Sequence, residues 1–140
     1  MADLPDSMMA IEIAEPGGPD VLRPVRRPVP QPEDGEILIK MAGAGLNGAD
    51  LSQRQGKYPM PHGVTDIPGL EVSGTVAALG SGTGRFKIGD PVCALISGGG
   101  YAEYATAPEG QCMAVPAGVA LADAGGLPET RVYRDGELEK

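Results

Sequence analysis

Apolar residues in this chain fall into short runs, and glycine, proline and other turn-forming residues separate one run from the next. Short apolar or alternating runs bounded by such residues are typical of strands in all-β domains. The runs that predict strands lie at residues 8–13, 21–30, 36–46, 65–79, 91–96, 101–108 and 111–116. The pattern therefore predicts a mainly β domain, either a barrel or a sandwich, with little helix.

Proline and glycine modify individual elements of this prediction. The segment 21–30 contains three prolines, so it is expected at a sheet edge, because proline cannot donate to a strand ladder. Gly74 lies inside the longest predicted strand and indicates a bulge or a close backbone approach. The segment 97–100, SGGG, is expected to join two strands as a loop or a hairpin. The best helix candidate is 48–56, about two turns long.

Composition indicates that these runs belong to one folded domain. The chain has 140 residues, of which 22 are glycine and 14 proline, a share that touches the range of disordered chains. These residues lie between the apolar runs rather than in repeats, which favours a folded, turn-rich domain. We expect that domain to cover residues 8–130, and the charge-rich residues 131–140 resemble a solvated tail.

Charge and hydropathy argue against several classes of partner. The net charge is −8 and the 11 lysines and arginines are scattered, so nucleic acid is not an expected partner. No stretch approaches the roughly 20 apolar residues that cross a bilayer, and the N-terminus carries Asp3 and Asp6 where a signal peptide would be basic. No membrane partner and a cytoplasmic location are expected. Cys93 and Cys112 lie in apolar segments and are expected to be buried, reduced thiols.

Residues 43–48 read GAGLNG, which is the spacing of a dinucleotide-binding fingerprint after a predicted strand and before a predicted helix. That fingerprint requires a crossover helix and a second, parallel strand. Here Gly56 and two prolines end the helix after about two turns, which is too short for the crossover. A glycine-rich bend at a corner of the barrel is therefore the favoured interpretation, with the nucleotide site as its alternative.

Four separated motifs occur in an order and spacing that carry a family resemblance: AGLNGADLSQRQGKYP, DIPGLEVSGTVAALG, FKIGDPVCALISGGGYAEYATAPEGQCMAVPAGV and LPET. They resemble the N-terminal, GroES-like domain of the zinc-independent, zeta-crystallin-like quinone oxidoreductases, within the medium-chain dehydrogenase/reductase superfamily. The resemblance implies a partly open GroES-like β-barrel with one or two short helices. It also places GAGLNG in the catalytic β domain rather than in a nucleotide site.

The same resemblance implies a function. In this family NADPH delivers a hydride to a quinone or a similar carbonyl acceptor, and a Rossmann domain follows the LPET segment. These 140 residues end before such a domain, so the resemblance implies a truncated member, inactive as an isolated chain. The alternative is a stand-alone, non-catalytic β-barrel that binds a ligand or self-associates. If the chain self-associates, the expected surface is an uncovered cleft lined by Tyr58, Leu70 and Val72.

The resemblance points to two site residues. Asn47 matches a family asparagine at the nicotinamide end of the cleft, where a carboxamide can bind cofactor or substrate oxygen without a change of charge. The alternative is an asparagine that tolerates unusual backbone angles at the end of a strand. Tyr58 matches a family tyrosine that faces the nucleotide and the quinone. Its alternative is a rim tyrosine at the helix-loop junction.

No metal site is expected. Zinc-dependent relatives have a cysteine at the position of Asn47 and a His-Glu pair at the positions of Leu70 and Glu71, and Glu71 alone cannot hold zinc. Their four-cysteine lobe corresponds here only to the segment SGGG. His62, the one histidine, lies in a loop rich in proline and glycine and is expected to be solvated.

Two spacings predict local contacts. Asp50 and Arg54 are four residues apart on the predicted helix, so an ion pair between them is expected. Tyr101 and Tyr104 are three apart on a predicted strand, so they are expected on opposite faces, with one of them in the core.

Overall fold

A computed structural model describes residues 3–129 of the chain, and these residues form two antiparallel sheets. The seven strands of this part of the chain are β1 (Ser7–Ile13), β2 (Leu22–Pro28), β3 (Glu36–Ala44), β4 (Glu71–Leu79), β5 (Pro91–Leu95), β6 (Tyr104–Pro108) and β7 (Cys112–Ala114). The described residues also form the α-helix α1 (Gly48–Arg54) and three short 3₁₀ helices at Pro19–Val21, Glu109–Gln111 and Asp123–Gly126, and residues 128–129 are helical as well.

The larger sheet has the order β6-β3-β4-β5-β7, and the smaller one pairs β1 with β2. Every strand pair is antiparallel. The two sheets do not close into a complete barrel, so the mainly β, partly open architecture expected from the sequence is confirmed. The proline-rich β2 lies at an edge of the smaller sheet, as predicted.

The structure corrects one predicted strand boundary and decides between the two alternatives for one connection. The longest predicted strand begins at Glu71, not at residue 65. The segment 97–100 is a loop and not a hairpin, because β5 pairs with β4 and β7 whereas β6 pairs with β3. The close approach expected at Gly74 is confirmed, since a Cβ there would lie 2.0 Å from the carbonyl oxygen of Lys40.

The core lies on both faces of β3. Ile37, Leu38 and Ile39 are all fully buried, which an alternating strand achieves only when both of its faces are covered. One face packs with a cluster of buried residues drawn from the larger sheet: Val72, Val76, Val92, Ala94, Ile96, Ala105, Ala107 and Cys112. The other packs with residues that include the N-terminal strand: Met8, Ala10, Ile67 and Tyr104. The smaller sheet is therefore part of the same core.

The segment before β6 joins the two sheets. Ile11 N–H donates to the Tyr101 carbonyl over 2.8 Å, and Glu103 N–H donates to the Met9 carbonyl over 3.1 Å. Tyr101 thus lies in this connecting segment, so its predicted place on a strand is wrong, whereas Tyr104 on β6 is a core residue as predicted. The two rings do not lie on opposite faces of one strand, since Tyr101 packs against the cluster that contains Tyr104.

Burial confirms one expectation and corrects another. Cys93 and Cys112 are both buried, as the apolar segments around them predicted. Val72 is fully buried within the core, so it cannot line an uncovered cleft for self-association; Leu70 is half-buried and Tyr58 is exposed. Among residues 3–129, no helix has the length and apolarity that a membrane crossing requires. The expected tail at 131–140 lies outside the described residues.

Candidate functional site

The GAGLNG motif lies where β3 ends and α1 begins. Both neighbours of β3 are antiparallel to it, and α1 has only seven residues. A dinucleotide fingerprint needs a parallel strand reached through a crossover helix. The nucleotide-site alternative for GAGLNG is therefore wrong, and the interpretation as a bend at the end of a strand is confirmed.

The glycines of this motif permit close packing. A Cβ on Gly43 would lie 2.2 Å from the carbonyl oxygen of Ala122, and a Cβ on Gly45 would lie 1.9 Å from Glu71 Oε1. A Cβ on Gly48 would meet nothing within 4 Å. Gly43 and Gly45 thus allow the Ala122 backbone and the buried Glu71 carboxylate to lie directly against the end of β3 and the start of the bend.

Asn47 is the N-cap of α1. Its φ of −131° and ψ of 158° are ordinary extended values, so no unusual backbone angle explains the asparagine. Asn47 and Asp50 form a capping box, in which the Asp50 carboxylate accepts the Asn47 N–H over 2.9 Å. The Asn47 side chain also donates from Nδ2 to Glu71 Oε1 over 3.1 Å. The helix cap therefore holds the backbone of Asn47, and Glu71 holds its side-chain amide, just beyond the end of β3.

Glu71, at the start of β4, is only 4% exposed although it carries a carboxylate. Besides Asn47, it binds the chain at residue 129, because the Glu129 N–H donates to Oε2 over 3.0 Å. Its main-chain carbonyl accepts the Gly45 N–H over 3.1 Å. Glu71 therefore connects the motif at 43–48 with the last described residue of the chain.

Asp50 is buried through a contact that the sequence did not indicate. Tyr101 Oη donates to Asp50 Oδ2 over 2.5 Å, and the Gly45 carbonyl lies 3.1 Å from the same hydroxyl. The expected ion pair of Asp50 with Arg54 is wrong, because Arg54 Nε instead donates to the Gly17 carbonyl over 3.1 Å. Asp50 thus forms hydrogen bonds to the helix cap and to Tyr101 instead of the predicted ion pair with Arg54.

Burial and neighbouring negative charge shape the electrostatics of this site. Burial, followed by the hydrogen bond to Asp50, raises the pKa of Tyr101 well above its ordinary value, so the phenol stays a donor. Burial, followed by the charges of Glu71 and Asp50, raises the pKa of Glu129. Within the described residues, Asp50 Oδ1 and Glu129 Oε2 are buried without a hydrogen-bond partner. No group of three or more histidine, cysteine or acidic side chains in that part of the chain could hold a metal ion.

The loop after α1 carries the other predicted site residue. Tyr58 is 40% exposed, and His62 is exposed as expected. Arg27 fixes the far end of this loop through two hydrogen bonds to Asp66, of 3.0 and 2.9 Å. The structure thus surrounds Asn47 with partners while the ring of Tyr58 faces solvent.

The lining of a separate cavity of about 430 Å³ includes none of Asn47, Asp50, Tyr58, Glu71 and Tyr101. It is lined by Arg27, Ile67, Ile96 and Thr106 among others. Because Arg27 already pairs with Asp66 and Glu12, the cavity offers no uncompensated positive charge.

The sequence analysis placed Tyr101 on a strand and Asp50 in an ion pair, so it missed the contact between them, and it gave Glu71 no role in this site. The capping box was detectable, since Asn47 is followed three residues later by an acidic residue at the start of a helix. The Tyr101 contact was not detectable, because 51 positions separate Tyr101 from Asp50.

Comparison with known proteins gives this geometry a context. Residues 33–117 match the family model of the alcohol dehydrogenase GroES-like domain. The chain is 40% identical, over 117 residues, to the chloroplastic quinone-oxidoreductase homolog of Spinacia oleracea, covering 80% of this chain and 36% of that protein. The chain spans about a third of the length of the curated relatives it matches.

Solved structures agree with this similarity. The human synaptic vesicle membrane protein VAT-1 homolog-like protein superposes with a TM-score of 0.79 at 35% identity, covering 85% of this chain and 38% of that one. A mycobacterial protein solved in complex with NADPH superposes with a TM-score of 0.73 at 42% identity, covering 81% of this chain and 35% of that one. The similarity therefore extends from sequence to fold.

Proposed function

Because this chain belongs to the alcohol dehydrogenase GroES-like domain family, we propose that it forms the substrate-side domain of an NADPH-dependent quinone oxidoreductase. The proposed reaction of the whole protein is transfer of a hydride from NADPH to a quinone or a similar carbonyl acceptor. The quinone-oxidoreductase relatives and the mycobacterial structure in complex with NADPH support this assignment.

The observation that carries the proposal is the fixed carboxamide of Asn47. One of its amide hydrogens is held by Glu71, and the helix cap holds its backbone, so the remaining amide hydrogen has a defined direction. We assign to this group a contact with an oxygen of the cofactor or the substrate. Tyr58, with its exposed ring, is assigned an apolar contact with the nucleotide and the quinone.

In the proposed reaction the cofactor supplies the hydride, and the residues of this chain bind and orient the substrate and exclude water from it. The GAGLNG motif does not fit the diphosphate of NADPH, since both neighbours of β3 are antiparallel to it and α1 has only seven residues. We therefore propose that these 140 residues alone neither bind NADPH tightly nor reduce quinones.

Zinc independence is part of the same proposal. Asn47 offers a neutral amide where a thiolate ligand would be needed, and its Nδ2 is engaged with Glu71. The buried cysteines agree with a reducing compartment, and we propose the cytoplasm as the location.

A second candidate function is a stand-alone module that binds a ligand or self-associates. Exposed apolar side chains near Asn47 favour it: Leu46 is 84% exposed, Leu51 is 54% exposed and Tyr58 is 40% exposed. Apolar surface of this kind often marks an interaction site.

A chimera tests the proposal. Residues 1–130 replace the matching part of the spinach homolog, and NADPH oxidation with 1,4-naphthoquinone is followed against an enzyme-free blank. We expect turnover by the chimera, none by the 140-residue chain, and a lower rate after Asn47→Ala. A folded chimera that binds NADPH and is indifferent to Asn47→Ala would contradict the assignment. Light scattering of the 140-residue chain decides whether it self-associates.

A further inference from the structure

Glu71 carries a carboxylate that is almost completely buried, yet no basic side chain among the described residues forms an ion pair with it. A buried carboxylate is costly unless hydrogen bonds satisfy its oxygens. Both oxygens of Glu71 are satisfied, one by Asn47 Nδ2 at 3.1 Å and the other by the Glu129 N–H at 3.0 Å. The carboxylate is therefore kept in place by the same two groups that it connects.

The carboxylate of Glu71 lies directly against the backbone of Gly45. The Cα of Gly45 lies so close that a Cβ there would stand 1.9 Å from Oε1 and 2.4 Å from the carboxyl carbon. The carboxylate therefore fills the space left open by the missing side chain of Gly45. A side chain confined in this way can transmit a displacement from one of its oxygens to the other.

We propose that Glu71 is a positioning residue that couples the orientation of the Asn47 amide to the position of the chain at residue 129. In this arrangement the segment at residue 129 holds Glu71, and Glu71 holds the amide that faces the ligand. The inference rests on the proposed function for the ligand contact of Asn47, but the coupling itself is independent of any ligand.

A double variant that exchanges the amide and the carboxylate between positions 47 and 71 tests the coupling. In Glu71→Gln the single carbonyl oxygen can accept from Asn47 or from Glu129 N–H, but not from both. In Asn47→Asp two carboxylates face each other, and the N-cap is kept because aspartate caps as well as asparagine. The double variant combines Asn47→Asp with Glu71→Gln. Its amide at position 71 can donate to the carboxylate at position 47 and still accept from Glu129 N–H, so size, net charge and both hydrogen bonds are retained.

The readout is hydrogen exchange of the Glu129 amide in the 140-residue chain, measured by NMR. We expect Asn47→Asp to speed this exchange by about tenfold or more, because two facing carboxylates displace the side chain of Glu71 from the Glu129 N–H. In Glu71→Gln the exchange rises only as far as the remaining oxygen leaves the Glu129 N–H for Asn47. We expect the double variant to restore the wild-type rate to within about twofold. Glu109→Gln is the matched control, because both oxygens of Glu109 accept backbone N–H groups of residues 84 and 85, away from this site. It should leave the exchange of the Glu129 amide unchanged.

The outcomes separate the coupling from the function. Unchanged exchange at Glu129 in Asn47→Asp, or failure of the double variant to restore it, would overturn the coupling. If restoration occurs, the chimera carrying the double variant is assayed with NADPH and 1,4-naphthoquinone. The carboxylate at position 47 of this variant has no amide hydrogen, so a loss of turnover supports the donor role of Asn47. Retained turnover would overturn that donor role and leave the coupling intact.

Discussion

Replacing Gly45 with alanine tests whether the GAGLNG glycines serve packing. The added Cβ would lie 1.9 Å from Glu71 Oε1, 2.4 Å from its carboxyl carbon and 2.6 Å from its Cγ. All three distances are shorter than any real contact of a Cβ, so either the carboxylate or the backbone must move.

Each route has a cost that the structure allows us to work out. Moving the carboxylate breaks its bonds to Asn47 Nδ2 and Glu129 N–H, and hydrogen bonds to charged groups contribute about 1.5–3 kcal/mol each. Moving the backbone instead is overpacking, which costs about 1–3 kcal/mol. Because the cheaper route sets the result, Gly45→Ala should lower the free energy of unfolding by about 1–3 kcal/mol.

Urea unfolding of Gly45→Ala and Gly48→Ala, each compared with wild type, measures this effect. Gly48 belongs to the same motif but opens α1 with nothing within 4 Å of its Cβ position. Alanine is a better helix former than glycine, so Gly48→Ala should be neutral or stabilising by up to about 1 kcal/mol. A Gly45→Ala chain as stable as wild type would refute the packing argument, as would equal losses from both substitutions.

Three further expectations follow from the same contacts. Tyr101→Phe removes the donor to Asp50 and should cost about 1.5–3 kcal/mol at neutral pH. The pKa of Tyr101 is raised above its ordinary value of 10.0, so the stability that the neutral phenol contributes is present below about pH 10 and declines at higher pH. Tyr101→Phe should therefore flatten the decline of the free energy of unfolding at alkaline pH. An alkaline slope equal to that of wild type would count against this role of Tyr101. Burial raises the pKa of Cys112 to about 11, and both thiols are buried, so a thiol reagent at about pH 8 should label neither cysteine until the chain unfolds. Elemental analysis should find no stoichiometric zinc, and one zinc per chain would oppose the proposed zinc independence.

Much of the fold followed from local pattern. The strand at 36–46 was predictable because Ile37, Leu38 and Ile39 form a continuous apolar run, and its burial on both faces agrees with that run. The short length of α1 was predictable because Gly56 follows it closely in the sequence. In the structure Gly56 has a φ of 76°, a backbone angle that favours glycine. The pairing of β5 with β4 and β7 was not predictable from the sequence, because the loop at 97–100 carries no signal that distinguishes a hairpin from a connection between non-adjacent strands.

The candidate site was only partly predictable. Asn47 was identified through a family resemblance, and its role as an N-cap follows from the acidic residue three positions later. Glu71 and Tyr101 reach the site from distant positions, so their contacts depend on how the sheets meet. Val72 was assigned wrongly for a different reason. The sequence analysis placed this apolar residue on an open surface, but its position on β4 directs it into the core.

NMR mapping of ligand contacts tests the central claim most directly. A ¹⁵N-labelled 140-residue chain is titrated with NADPH, and separately with 1,4-naphthoquinone, at millimolar concentrations that reveal weak binding. The account predicts that the largest shifts fall on the Asn47 side-chain amide and on the backbone of Tyr58. Shifts concentrated instead around the separate cavity, at Ile67, Ile96 and Thr106, would contradict the placement of the functional site at the end of β3.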